Sequence, residues 1–205
     1  MVAPGPEVTI ATPTFPLARA YPAAATLGDL VCALGGNGHD SCECYNLATG
    51  VWSAIASLAG ATWNDHNICN PGLPVHVLQI HGTADTVIDF NGECVPFFAC
   101  YPGAMDSILL FSEYNQCSGT TETGENLDLD ASISGAETTR TLLREGCEEN
   151  GACELWAING GSHGPNFNAN FPRELVDWLL EHRRGNSEEC PADLNGDLLV
   201  DGTDL

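Results

Sequence analysis

The sequence predicts an α/β domain with a mainly parallel sheet flanked by helices. Three observations carry this expectation. Residues 74–82 (PVHVLQIHG) and 153–160 (CELWAING) are short apolar runs closed by glycine, the pattern of buried strands. Residues 103–115 and 171–182 repeat apolar side chains at intervals of three and four, the pattern of helices. Strands that alternate with helices in the chain build parallel sheets.

Taken in order, residues 1–44 show no strand or helix period. They stay unassigned, as disordered chain or as text read out of frame. The character changes near Tyr45, and 45–184 reads as one domain. WSAIASLAG (52–60) is an apolar run ended by Gly60, and 74–82 is the clearest strand. In 103–115, Met105, Ile108, Leu109 and Ser112 fall at helical spacing, while 137–145 (ETTRTLLRE) is a candidate strand. The last helix is expected to be capped by Asn168 or Asn170, with Pro172 in its first turn. Phe171, Leu175, Trp178, Leu179 and His182 form its apolar face. Arg183 and Arg184 sit at the negative end of its dipole and Gly185 stops it. Residues 185–192 form a polar linker, and 193–205 a separate module.

Composition narrows the function classes. The 205 residues carry a formal charge of −22, which excludes the basic face that nucleic acid or an anionic membrane requires. Apolar residues make up 43%, enough for a core. Ten cysteines indicate an oxidising, extracellular setting. The first 25 residues lack the basic start and unbroken apolar stretch of a signal peptide. A secreted protein of this sequence is therefore expected to carry its leader upstream, or to begin unnaturally here.

Two loops hold the chemistry. HGTADTVIDF follows the strand at 74–82, and GGSHGPN follows the strand at 153–160. Loops at the carboxyl ends of parallel strands converge on one crevice. Asp85 and His163 are therefore candidates for the acid and the base in a Ser, Asp, His order. The carboxylate would fix the imidazole tautomer, and the imidazole would take the proton of a nucleophile.

At this point a resemblance becomes specific. AIASLAGATW, PVHVLQIHGTADTVIDFNG, the segment YNQCSGTTETGENLDLDASISGAETTR, and CELWAINGGSHGPNF through ELVDWLLEHRR resemble the secreted polyhydroxybutyrate depolymerase and feruloyl esterase family of α/β-hydrolases. The similarity covers about residues 50–184, with HGTAD and GGSH the most diagnostic pieces. It implies the C-terminal part of an α/β-hydrolase fold lacking its N-terminal strands. It also implies Asp85 as triad acid, His163 as triad base, and ester hydrolysis through an acyl-enzyme. The substrate would be a polyester, or a feruloyl or acetyl ester of plant polysaccharide.

The chain departs from the family before the AIASLAG strand, where a G-x-S-x-G elbow and an oxyanion-hole loop are missing. Ser41 and Ser57 lack the flanking glycines an elbow needs, and Ser41 is a remote surrogate nucleophile. The chain alone is therefore expected to be inactive, as a damaged copy or as a hydrolase-like binding protein.

The cysteines read better as disulfides than as a zinc site. Cys42, Cys44 and Cys69 with His39 and His66 form no paired C-x₂-C spacing. Cys94 with Cys100 would close a loop beside the site, and the resemblance implies Cys117 with Cys147, for which Cys153 is a rival. The tail CPADLNGDLLVDGTDL resembles the calcium loop of a type I dockerin repeat, cut short. By that resemblance Asp193, Asn195, Asp197, the Leu199 carbonyl, Asp201 and Asp204 would ring one Ca²⁺ with hard oxygens. Leu198 stands where the sharp turn wants glycine. A cohesin-type scaffold protein is the partner this module implies.

Overall fold

The computed structural model describes residues 53–62, 64, 73–94 and 100–182 in full, and the backbone alone of 23–27, 30–34, 41–46 and 51–52. Twelve elements follow one another. They are β1 (Ala23–Leu27), β2 (Leu30–Leu34), β3 (Ser41–Asn46), β4 (Val51–Leu58), β5 (His76–Gly82), β6 (Gly92–Cys94), β7 (Cys100–Pro102), α1 (Ala104–Tyr114), β8 (Glu122–Thr123), β9 (Thr138–Leu143), β10 (Cys153–Ile158) and α2 (Asn170–Glu181). Eight strands form one sheet in the order β1-β2-β3-β4-β5-β10-β9-β8, and β6 and β7 form a separate hairpin.

This corrects the expected architecture. The sheet is mixed rather than mainly parallel. Only β4–β5 and β5–β10 pair in parallel, while β1–β2, β2–β3, β3–β4, β10–β9 and β9–β8 are antiparallel. The described residues contain two helices, too few to flank a hydrolase sheet. The expected lack of N-terminal strands is also overturned, because β1, β2 and β3 precede β4. The cause lies in the links. A parallel crossover needs about a dozen residues or more. The links 28–29, 35–40, 47–50 and 144–152 are all shorter, so the strands they join turn back on themselves.

The individual segments fare better. The strands at 74–82 and 153–160 are β5 and β10, the candidate at 137–145 is β9, and both helices form where their spacing puts them. On α2 the buried residues are Leu175, Trp178 and Leu179, and the His182 ring stacks on Trp178 at 4.1 Å. The expected cap by Asn168 or Asn170 does not form: the cap position is Ala169, without a side-chain cap bond, although the Asn168 side chain accepts the Asn170 N–H at 2.8 Å.

The central strands are covered on both faces. On one side Ala54, Ala56, Leu78, Ile80, Trp156 and Ile158 pack with Leu175, Trp178 and Leu179 of α2. On the other, Val77, Leu155 and Ala157 pack with Ala104 and Ile108 of α1. The period-two alternation of a strand makes this division.

Two buried polar groups tie these layers. The Glu154 carboxylate accepts Trp156 Nε1–H at 2.6 Å, Arg140 Nε–H at 2.5 Å and, from α2, Trp178 Nε1–H at 2.9 Å. Asn115, fully buried at the end of α1, accepts the Val75 N–H at 3.2 Å and donates to the carbonyls of Val75 at 2.8 Å and Gly151 at 2.6 Å. It thereby clamps the chain just before β5 to the chain just before β10. Disulfides join Cys94 to Cys100 and Cys117 to Cys147 as anticipated, and Cys153 is a buried free thiol.

Removing the Glu154 carboxylate strands two buried indole N–H groups and leaves the partly buried Arg140 guanidinium without its acceptor. Glu154→Ala is expected to cost about 3–5 kcal/mol, the range for breaking a buried charge pair from one side. Glu154→Gln, which keeps an acceptor, should cost less. Urea unfolding followed by tryptophan fluorescence measures both.

Candidate acid–base site

The site begins with a close approach of two backbones. Gly82 ends β5 directly against the loop that follows β10. A Cβ on Gly82 would lie 2.3 Å from the Gly161 carbonyl oxygen and 2.5 Å from that of Ser162, so only glycine fits. Without that side chain the parallel ladder continues past the strand ends. Thr83 N–H donates to the Ile158 carbonyl and Ala84 N–H to the Gly161 carbonyl, both at 2.9 Å. Gly160 N–H donates to Thr83 Oγ1, also at 2.9 Å.

This interlock brings the two predicted residues together. His163 Nδ1 lies 2.9 Å from Asp85 Oδ2 across 78 residues of sequence. The Asp85 side chain is fully buried, whereas that of His163 is 32% exposed. The other Asp85 oxygen accepts the Val87 N–H at 2.8 Å and the Ile88 N–H at 3.0 Å. Burial pushes the Asp85 pKa up. The Val87 N–H, the His163 ring and the Ile88 N–H outweigh that and hold the carboxyl below its ordinary 3.8. An ionised Asp85 beside Nδ1 makes that nitrogen the donor, so the lone pair of the neutral ring resides on Nε2.

Other candidates take different places. The backbone of Ser41 pairs with Ser57 near the carboxyl end of β4, which puts it on the sheet edge that carries Asp85 and His163. The letters G-x-S-x-G do occur once, at Gly160–Gly164, where the sequence reading passed over them. They do not form an elbow. An elbow serine sits on a strained turn between strand and helix. Here Gly160, not Ser162, holds the positive φ, the Ser162 hydroxyl donates to the Gly164 carbonyl at 3.2 Å, and the next helix starts only at Asn170.

The calcium-loop residues Asp193, Asn195, Asp197, Leu199, Asp201 and Asp204 lie outside the described residues, as do His39, His66 and Cys69. Among the described residues no group of three His, Cys, Asp or Glu side chains is placed to hold a metal. No helix there is long and apolar enough to cross a membrane. A cavity of about 600 Å³ opens between the β6–β7 hairpin and α1, lined by Asn91, Glu93, Tyr101, Asp106 and Glu113. Neither Asp85 nor His163 lines it, so it adds nothing to the acid–base pair.

Two neighbours of Asp85 escaped the sequence reading. His81 Nε2 lies 3.1 Å from Asp85 Oδ2, and Gln79 Nε2 lies 3.2 Å from His81 Nδ1. Their signal was present, since Gln79 and His81 are alternate polar residues in a strand buried on both faces.

The depressed Asp85 pKa has a consequence for stability. As pH falls through 3.8 the unfolded chain takes up its proton first, so this contribution is full above that value and is lost on descent to the native pKa. Asp85→Asn is therefore expected to flatten the loss of stability below about pH 4, measured as denaturation midpoints from pH 6 to pH 2 against the unaltered chain. In comparisons with known proteins, no family model matches this chain, and no curated protein does either.

Proposed function

We propose that Asp85 and His163 are the acid and base of a secreted carboxylic ester hydrolase of the Ser-His-Asp type. The observation that carries this reading is the 2.9 Å contact between His163 Nδ1 and Asp85 Oδ2. Further support comes from the order of the residues and from their position after two adjacent parallel strands. In the reaction His163 Nε2 takes the proton of an attacking hydroxyl and passes it to the leaving alcohol. Asp85 holds Nδ1–H and stabilises the imidazolium. The HGTAD and GGSH segments support an ester or polyester substrate by resemblance, and the two disulfides suit an extracellular setting.

A second reading rests on Ser162. With the one G-x-S-x-G pentapeptide not built as an elbow, the chain would serve as a binding protein whose acid–base pair is a relic. In both readings the tail tethers the protein to a cohesin-type scaffold through a Ca²⁺ loop, supported by the spacing of Asp193, Asn195, Asp197, Asp201 and Asp204.

Loss of a triad serine costs about 10⁶-fold in a serine hydrolase. Hydrolysis of p-nitrophenyl butyrate by the chain should therefore match that of its His163→Ala variant. Saturable turnover that a serine-directed reagent abolishes would overturn the assignment of this chain as inactive on its own. Sequencing the encoding DNA and its upstream flank separates the two readings. An elbow in a neighbouring frame or upstream supports the hydrolase, and a confirmed frame with no elbow supports the binding protein.

Calcium binding to the full chain should be no tighter than about millimolar, because position 6 of the loop lacks glycine. Titration calorimetry returning a micromolar constant would refute that.

A further inference from the structure

We infer that His81 is a positioning residue for the Asp85–His163 pair, held as its Nε2–H tautomer by the side-chain amide of Gln79. This inference rests on the reading of Asp85 and His163 as acid and base.

One chain of buried hydrogen bonds leads to His81. It starts at the Gly60 carbonyl, just past the end of β4, which can only accept. Gln79 Nε2 lies 2.8 Å from it, so that atom is the amide nitrogen and donates. The second hydrogen of the same amide points to His81 Nδ1 at 3.2 Å, so Nδ1 is an acceptor and carries no proton. In a neutral ring the proton then resides on Nε2, which donates to the Ile88 carbonyl at 2.9 Å and stands 3.1 Å from Asp85 Oδ2. Gln79 is 4% exposed and His81 1%, so no solvent competes for these groups. The Phe90 ring stands edge-on to His81 at 5.6 Å and helps fix its plane.

Two effects on the pair follow. Asp85 Oδ1 receives Val87 and Ile88 N–H, Oδ2 receives His163 N–H, and His81 holds the Ile88 carbonyl of the same turn with its Nε2 packed 3.1 Å from Oδ2, so the carboxylate is held in one orientation. A second proton on His81 would have to go on Nδ1, where it would face the Gln79 amide donor to donor. In that tautomer the ring stands beside Asp85 without cancelling its charge, and that charge remains available to the His163 imidazolium.

The test is an imidazole ¹⁵N NMR spectrum of the full chain near pH 7, with signals assigned through the His81→Phe and His163→Ala variants. The expected result is a proton on Nε2 of His81 and a hydrogen-bonded proton on Nδ1 of His163. In Gln79→Glu, which replaces the amide donor with an acceptor, His81 should gain a proton on Nδ1. The His163 Nδ1–H resonance should then move upfield as Asp85 is shared with a cation. In His81→Phe that resonance should be lost to exchange while the cooperative thermal melt persists. A proton on His81 Nδ1 in the unaltered chain overturns the inference and leaves the acid–base pair standing. So does an unchanged His163 signal in folded His81→Phe. Absence of the His163 Nδ1–H in the unaltered chain overturns the pair itself. If Gln79→Glu fails to fold, the unaltered spectrum and His81→Phe decide the question.

Discussion

The contact on which the site depends is made by an atom that is not there. Gly82 lets β5 run into the turn after β10 with its Cα almost against the Gly161 and Ser162 carbonyls. Any side chain would push the two loops apart by more than a hydrogen bond tolerates. Asp85 leaves from one of these loops and His163 from the other, so their separation is set by backbone packing rather than by mutual attraction. The ladder bonds through Thr83, Ala84 and Gly160 then lock the approach in one register. This is why a one-third-exposed histidine can meet a buried carboxylate with so much chain between them.

Buried polar groups carry the rest of the specification. The apolar residues on both faces of β5 and β10 supply the driving force for burial, but apolar contact is not directional. Glu154 draws α2 onto the sheet at one angle, because two indole N–H groups and a guanidinium must all reach one carboxylate. Asn115 fixes the starts of β5 and β10 relative to each other, at the end of those strands remote from the site. Gln79 and His81 then extend polar order from the strand interior to Asp85. Each group is costly to bury alone and useful only when fully partnered.

How much of this was legible varied with the distance over which each feature is decided. The two helices and strands β5, β9 and β10 were readable, since apolar period and local glycines act within a dozen residues. The Cys94–Cys100 bridge was readable for the same reason, as its partners are close in sequence. Strand direction does not follow from the alternation of strands with helices, because the short links 35–40, 47–50 and 144–152 turn the chain back. The pentapeptide at Gly160–Gly164 teaches the reverse lesson. Its letters match a nucleophile elbow, but its dihedrals and the absence of a following helix do not. Gln79 and His81 stood out in a buried strand, but nothing local announced which groups would satisfy them.

By itself the sequence determined the acidic character, the disulfide-forming content, the positions of several principal elements and the candidacy of Asp85 and His163 as a pair. All of these depend on residue type and on spacing along the chain. Only the tertiary structure decided the mixed sheet, the 2.9 Å meeting of Asp85 with His163, and the line of hydrogen bonds from Gly60 through Gln79 and His81. Those features join residues that are far apart in the chain or lie on different strands. They exist because backbone groups with no side-chain signature, the Gly60, Ile88 and Gly161 carbonyls, are brought to the places where donors need them.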